Sequence, residues 1–474
     1  MRGTFARLGL AACALLPAAL AAQTAPTGAV LDSVDRYLRA ELERQRVPGM
    51  SVAVLRGDSV LLARGYGFAD LEHRVPASDS TLYQSASVGK QFTAALVLTL
   101  VREGRLSLDS SIRRWLPEAP AAWRPITVRH LLPPTSGIPD YTEGAVDYRR
   151  DYTEDELLAA AEGLPPEFAP GETWRYSNTG YALLGFLVRR ATGRFYGDLL
   201  RDRIFDPVGM PTARVISESD IIPNRAAGYE LVDGVVRNQG WIAPTINTTA
   251  DGSLYLSLKD LIGWTVALNH ARVLDSAMLA ASWTPVRLKD GSTYHYGFGW
   301  ELDHQRGRPR IGHTGSWQGF KTSIQRYPES DLTVIALANL DAALPAPVSF
   351  SVAGMVDPGV LPAHLLPASR TGPREPIATL LAAVVGGNAG TRLTPGLRRF
   401  IGDDTIEEWR HGLQAVRRWE SAGCDDVRPR GLERLGGRVA RVCYARALGD
   451  GFRRLVSVAY TSDWTATDLD SYSY

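Results

Sequence analysis

Charge of either sign is not in excess in this sequence. Its 52 Lys and Arg residues nearly balance 51 Asp and Glu, for a formal net charge of +1. No global field draws such a chain to nucleic acid or to an anionic membrane. A basic stripe interleaved with aromatics is missing too, which sets nucleic-acid binding aside. Cysteine is scarce, with 3 in 474 residues. No Cys-x-x-Cys or His-Glu-x-x-His pattern occurs, and the 8 histidines show no metal-ligand spacing, so neither metal nor cofactor is expected. Long apolar runs are also lacking. The run from Leu8 to Ala21 is too short to span a bilayer and no later stretch is long enough, so stable membrane insertion is not expected.

What the N-terminus does contain is an export signal. Arg2 and Arg7 form a charged start, Leu8 to Ala21 an apolar stretch, and Ala19-Leu20-Ala21 a small-x-small cleavage site. Residues 1–21 are therefore read as a cleaved signal, and a periplasmic or secreted location is expected. Lipid attachment at Cys13 ranks below this reading. Cleavage there would leave only about five apolar residues after Arg7, short of the ~7–15 such a stretch needs. Cys424 and Cys443 then remain, and an oxidising compartment makes them a disulfide candidate. Two unrelated buried thiols are the alternative.

Val30 to Gln45 has the 3.6-residue apolar period of a helix. Ser51 to Gly67 reads as a hairpin turned at Arg56-Gly57-Asp58. From Thr81 to about Leu268 the pattern is mainly helical, with capping boxes at Thr153/Glu156 and Ser257/Asp260. Strands are expected again from Tyr296 to Leu302 and from Gly319 to Leu340, turned at Pro328 to Asp331. Strands at both ends around a helical middle imply an α/β (α+β) fold. One antiparallel sheet is closed by both ends of the chain and flanked by an inserted helical region, with a groove between them. After about Leu344 a helix leads into a Pro-, Ala- and Gly-rich linker, 361–376. Residues 377–474 read as a small α+β domain, with a helix in "DTIEEWRHGLQAVRRW" and a hairpin turned at Gly449-Asp450-Gly451. No part of this tail carries recognisable chemistry. A chain ending near residue 370 is expected to keep whatever chemistry the rest performs.

That chemistry centres on "TLYQSASVGKQFT", Thr81 to Thr93. Ser87 and Lys90 are three apart, which on a helix puts both on one face. Ser85 is the expected N-cap. Ser87 in the first turn would sit where free N–H groups favour negative charge. A serine there can attack a carbonyl if the lysine is desolvated enough to be neutral and take its proton. Alone, Ser-x-x-Lys occurs by chance in many proteins. Downstream, "YSN" (Tyr176 to Asn178) and "HTG" (His313 to Gly315) follow in order.

With these three ordered motifs the sequence resembles the serine β-lactamases and penicillin-binding proteins, specifically the class C-like branch. The segments "PGETWRYSNTGYALLG", "YGFGW" and "GHTGSWQGF" carry the same resemblance, which runs from about residue 30 to about 355 and omits the tail. It implies a hydrolase domain over 22–360. It also implies Ser87 as acylated nucleophile, Lys90 as its proton acceptor and Tyr176 as second acid/base. Asn178, His313, Thr314, Gly315 and Ser316 are the implied substrate-binding residues, with the N–H groups of Ser87 and Ser316 as oxyanion hole. His130 and His73 read as structural. Two departures stand out. Pro133-Pro134 replace a Thr-His pair common before "TSG" in relatives, and the third motif begins with His rather than Lys. His versions resemble D-alanyl-D-alanine carboxypeptidases, D-amino-acid-specific peptidases and some esterases. The expected function is an exported serine hydrolase acting on small peptide-like amides or esters, D-residue-containing ones included. The alternatives are a carboxylesterase, a class C-like β-lactamase that turns over lactams, and a non-catalytic penicillin-binding or interaction protein. The sequence sets no oligomeric state.

Overall fold

The computed structural model describes residues 28–369, 372–427 and 432–474; the expected signal segment and Cys13 lie outside them. Helix α1 (Gly28–Gln45) buries Val34, Leu38 and Leu42, the four-residue spacing of a single apolar stripe. Strands β1 (Gly49–Arg56) and β2 (Ser59–Asp70) form the expected hairpin, with Gly57 at φ 55° in its turn. The helical middle contains α2 (Lys90–Arg102), α3 (Glu154–Glu162), α4 (Asn178–Thr192) and α5 (Leu258–Asn269). Both expected capping boxes are made, at Thr153/Glu156 and Ser257/Asp260. Then come β3 (Glu301–Gln305), β4 (Arg308–Trp317), β5 (Phe320–Tyr327), β6 (Leu332–Ala338) and α6 (Pro345–Val356).

These strands make one antiparallel sheet in the order β3-β4-β5-β6-β1-β2, edged by a short strand at Val75–Pro76. The two ends of this part of the chain therefore meet at the β6–β1 pair, as the sequence pattern implies. Strand β1 is buried on both faces. Val52 and Val54 pack with α1 and α6 on one side. Ala53 and Leu55 pack on the other, in the core that holds Phe92 of α2 and Trp264 of α5. A two-residue period with apolar residues in both sets is what a central strand requires. The sheet thus lies between two helical layers, and the α2 side holds the three motifs. Among the described residues no helix is long and apolar enough to cross a membrane.

The remaining chain folds as α7 (Ile377–Val385), α8 (Pro395–Phe400) and α9 (Asp403–Gln414), followed by β7 (Arg418–Asp426), β8 (Arg441–Gly449), β9 (Phe452–Tyr460) and β10 (Ala466–Ser473). The four strands pair in that order. Three details depart from the sequence reading. The strand expected from Tyr296 starts only at Glu301. The helix expected to run through Trp419 stops at Gln414, because Arg418 to Asp426 is taken by pairing with β8. Polar β7 and β10 carry little strand signal of their own and form through their partners.

Cys424 and Cys443 face each other across β7 and β8 and are bridged, at a sequence separation of 19. A closed loop of this size contributes about 3 kcal/mol on the chain-entropy estimate. Reduction, or a Cys424→Ala/Cys443→Ala pair, is expected to lower the urea midpoint of the unfolding step that these strands share. Identical midpoints with and without reductant would contradict this.

Candidate active site

The Ser87 segment departs from an ordinary helix start. Residues Ala86–Gly89 form a 3₁₀ turn, and the α-helix begins only at Lys90. Ser85 makes no cap bond. Its hydroxyl donates instead to the Gly252 carbonyl at 2.8 Å. Ala86, just before Ser87, has φ 48°, a left-handed conformation that costs an L-residue roughly 1–2 kcal/mol. Surrounding backbone holds it there. The Thr322 hydroxyl donates to the Ser85 carbonyl at 2.7 Å. A Cβ on Gly89 would lie 2.8 Å from the Gly252 Cα, and one on Gly315 2.4 Å from the Ser85 carbonyl. These glycines let the 252 loop and β4 close on the serine turn, which accounts for Gly89 inside an otherwise apolar helical run.

Lys90 is fully buried. Its Nζ lies 3.2 Å from Ser87 Oγ, 2.7 Å from Asn178 Oδ1 and 2.6 Å from the Asp251 carbonyl. The two carbonyl oxygens can only accept. A neutral amine has two N–H bonds for them and one lone pair, which then faces the Ser87 hydroxyl. Burial favours that form and pushes the Lys90 pKa down to about 8, against the opposing pull of Asp251 and Asp140.

Tyr176 lies just before α4. Ser177 is the N-cap of this helix, its hydroxyl accepting from Gly180 N at 3.3 Å, so the middle residue of "YSN" serves the backbone. The Tyr176 hydroxyl donates to Ser87 Oγ at 2.6 Å, and Lys90 Nζ sits 4.9 Å from the centre of its ring. Burial pushes this phenol well above its usual pKa, partly offset by the Ser87 contact. Asn178 opens α4. Its backbone N–H and its Nδ2 both donate to Asp140 Oδ2, at 2.8 and 2.9 Å, which turns Oδ1 toward Lys90.

The third motif lies on β4. His313 is 2% exposed. Its Nδ1–H donates to the Thr314 carbonyl at 2.6 Å, and its Nε2 accepts from the Tyr296 hydroxyl at 2.7 Å. Both nitrogens are satisfied by a neutral ring, and burial lowers its pKa. The Thr314 hydroxyl donates to Glu301 at 3.2 Å, and Gly315 faces the serine turn. Ser316 lines the cleft together with Ser87 and Asn178. The five residues expected from the sequence to bind substrate take up two kinds of position. Asn178 and Ser316 reach the cleft, whereas His313, Thr314 and Gly315 are turned to protein partners and shape it from behind. His130 caps its own helix through Thr127, a structural role as expected.

Sequence reasoning passed over Asp140, Tyr141, Asp251 and Tyr296. Asp140 and Tyr141 end the segment "TSGIPDY" and belong to none of the three motifs. Nothing near Asp251 in the chain points to the site.

Residues 34–348 match the family described as Beta-lactamase. The chain belongs to this family. Its members are serine hydrolases, and the mixed α/β architecture with its antiparallel sheets is the β-lactamase and transpeptidase fold. Over 317 residues the chain is 31% identical to penicillin-binding protein 4* of Bacillus subtilis, covering 63% of this chain and 69% of that protein. It is 30% identical over 302 residues to a D-aminopeptidase of Gluconobacter oxydans, covering 62% of this chain and 56% of that protein. Among solved structures it resembles the D-amino acid amidase of Ochrobactrum anthropi SV3, with TM-score 0.60 and 27% identity over 70% of this chain and 97% of that one.

Proposed function

We propose that this chain is an exported serine hydrolase that works through an acyl-enzyme on peptide-like amides or esters, with D-amino-acid amides and peptides as its natural class. One observation carries the reading: a buried lysine pulled toward neutrality and a tyrosine both contact the Ser87 hydroxyl. The Lys90 lone pair takes the Ser87 proton as Oγ attacks the carbonyl carbon. The N–H groups of Ser87 and Ser316 receive the oxyanion. The proton passes to the departing amine or alcohol through Tyr176, leaving an ester on Ser87. Water then attacks that ester, its proton returning through the same groups, and the acid departs. The names of the relatives above support a D-configured substrate. The domain reading fits this function: a hydrolase domain over 22–360, a linker at 361–376 and an accessory unit at 377–474.

The β-lactamase alternative has less support. A neutral, buried His313 places no permanent cation where a lactam carboxylate would need one. Penicillins are expected to acylate Ser87 and to turn over poorly. Intact-mass spectrometry after exposure to penicillin, an activated ester and a D-alanyl peptide tests the proposal. One acyl adduct on Ser87 is expected, short-lived for the ester and peptide. No adduct with any of the three would overturn it.

The state of Lys90 sets a pH dependence. The amine must be neutral to accept the proton, and it is protonated below its pKa of about 8. Acylation is therefore expected to fall as pH drops below that value and to level off above it. The measurement is kcat/KM for an activated ester from about pH 6 to about pH 10, the spread over which such a group titrates fully. Activity that declines over the first alkaline unit would contradict it.

A further inference from the structure

One carboxylate in the cleft remains without a role in this mechanism. Asp251 sits on the loop before the short strand Leu254–Leu256 and lines the cleft with Ser87, Asn178 and Ser316. Its main-chain carbonyl and Ser87 Oγ contact the same Lys90 Nζ, at 2.6 and 3.2 Å, so it lies immediately beside the nucleophile.

Asp140 offers an instructive contrast. Its Oδ2 takes the N–H and Nδ2 of Asn178, and its Oδ1 takes the N–H and hydroxyl of Thr142. Four donors fill its four acceptor sites, and that carboxylate is structural. The carboxylate of Asp251 receives the Tyr141 hydroxyl at 3.1 Å on Oδ2, together with the Thr249 hydroxyl and its own backbone N–H. Acceptor capacity is left over on a residue that lines the cleft. The nearest cation, Lys90, spends its N–H groups on Asn178 and on the Asp251 main chain. Lys321, on β5, is turned to the Ser316 hydroxyl at 2.5 Å and does not line the cleft.

A carboxylate beside a nucleophilic serine, its pKa raised by burial against the pull of Lys90, suits one kind of substrate group, a cation that restores its charge. The α-ammonium of an aminoacyl substrate is separated from the scissile carbonyl carbon by the α-carbon alone. With the carbonyl on Ser87, the ammonium must fall close by. We propose that Asp251 is the subsite for this group: the cleft selects amides and short peptides with a free amino terminus and holds the ammonium on the Asp251 carboxylate, with Tyr141 orienting it. This rests on Ser87 being the acylated residue.

The experiment compares D-alanyl-p-nitroanilide with its N-acetyl derivative in wild type, Asp251→Asn and Asp251→Glu. Wild type is expected to prefer the free amine. In Asp251→Asn the ratio of the two kcat/KM values should fall about 10- to 100-fold, the range of one charge-assisted hydrogen bond, chiefly through KM. Asp251→Glu, which keeps the charge, should retain most of the preference. If Asp251 were only a counter-ion for Lys90, both substrates would slow alike and the ratio would stay put, which overturns the proposal. So does a wild type that prefers the acetylated amide. Adduct formation by an activated ester is followed in all three proteins. Its absence in wild type would refute Ser87 as nucleophile, and its presence in Asp251→Asn shows that this variant is folded and reactive.

Discussion

Ser87→Ala is expected to lower turnover of every accepted ester or amide at least ~10³-fold, since removing a member of a catalytic constellation leaves only what binding and the oxyanion donors supply. Ser87 Oγ is the atom on which the site converges, 3.2 Å from Lys90 Nζ and 2.6 Å from the Tyr176 hydroxyl. Deleting it leaves a proton acceptor with no proton to take. The neighbouring Ser85 is no substitute. It is fully buried and its hydroxyl is committed to the Gly252 carbonyl. Substrate affinity should change little, because Asn178 and Ser316 remain on the cleft. Rates and KM for an activated ester, with peptide mapping of the trapped adduct, check both halves. An adduct on Ser85, or wild-type rates in Ser87→Ala, would refute the assignment.

What could be read from the sequence follows from distance along the chain. Ser87 and Lys90 meet because three residues make one turn, and the two capping boxes close over the same span. The β1–β2 hairpin is announced by its turn, and the sheet closed by both chain ends follows from where the apolar β runs fall. Features set by distant backbone stayed hidden. The left-handed Ala86 depends on Gly252 and Gly315, contributed by segments far along the chain. Asp140 becomes the group that orients Asn178 only once residues 38 apart are brought together. His313 illustrates a further limit. The motif names it, yet its place on β4 comes from strand pairing and its direction from Tyr296, which no local pattern ties to it. Strands β7 and β10 are polar along much of their length, and their pairing with β8 and β9 supplies what their composition lacks.

Removing the chain beyond residue 369 is expected to reduce activity at least ~10²-fold, contrary to what the motif distribution suggests. None of the three motifs lies in that segment, but its core continues into the wall behind them. Phe400, at the end of α8, lies 4.9 Å from Tyr294 between ring centres. Tyr294 stacks on Trp174 at 4.0 Å. Trp174 is two residues from Tyr176, and the two rings are 6.4 Å apart. Tyr296, 5.5 Å from Trp174, holds His313 through its hydroxyl. Two of the three motifs therefore rest on one aromatic stack, and Phe400 closes its outer side. Hydrogen bonds lock the junction: Leu435 N donates to the Thr293 carbonyl at 2.9 Å, and the Thr293 hydroxyl to the Glu433 carbonyl at 2.6 Å. Arg434 adds a bond from Nη2 to the Leu302 carbonyl at 2.6 Å. Truncation would strip these contacts and expose Trp174 and Tyr294 to water. A shift of about 1 Å in a positioned catalytic group is enough to cost ~10²-fold. Phe400→Ala in the full chain isolates the stack from the rest of the interface. It is expected to lower kcat about tenfold with little change in KM, a modest share of the loss a 1 Å displacement brings, and Phe400→Leu should restore most of it. Steady-state kinetics on an activated ester make the comparison, with near-ultraviolet circular dichroism reporting the order of the stacked rings. A truncated chain that acylates at the wild-type rate would show that the hydrolase fold holds Tyr176 in place without help from the tail.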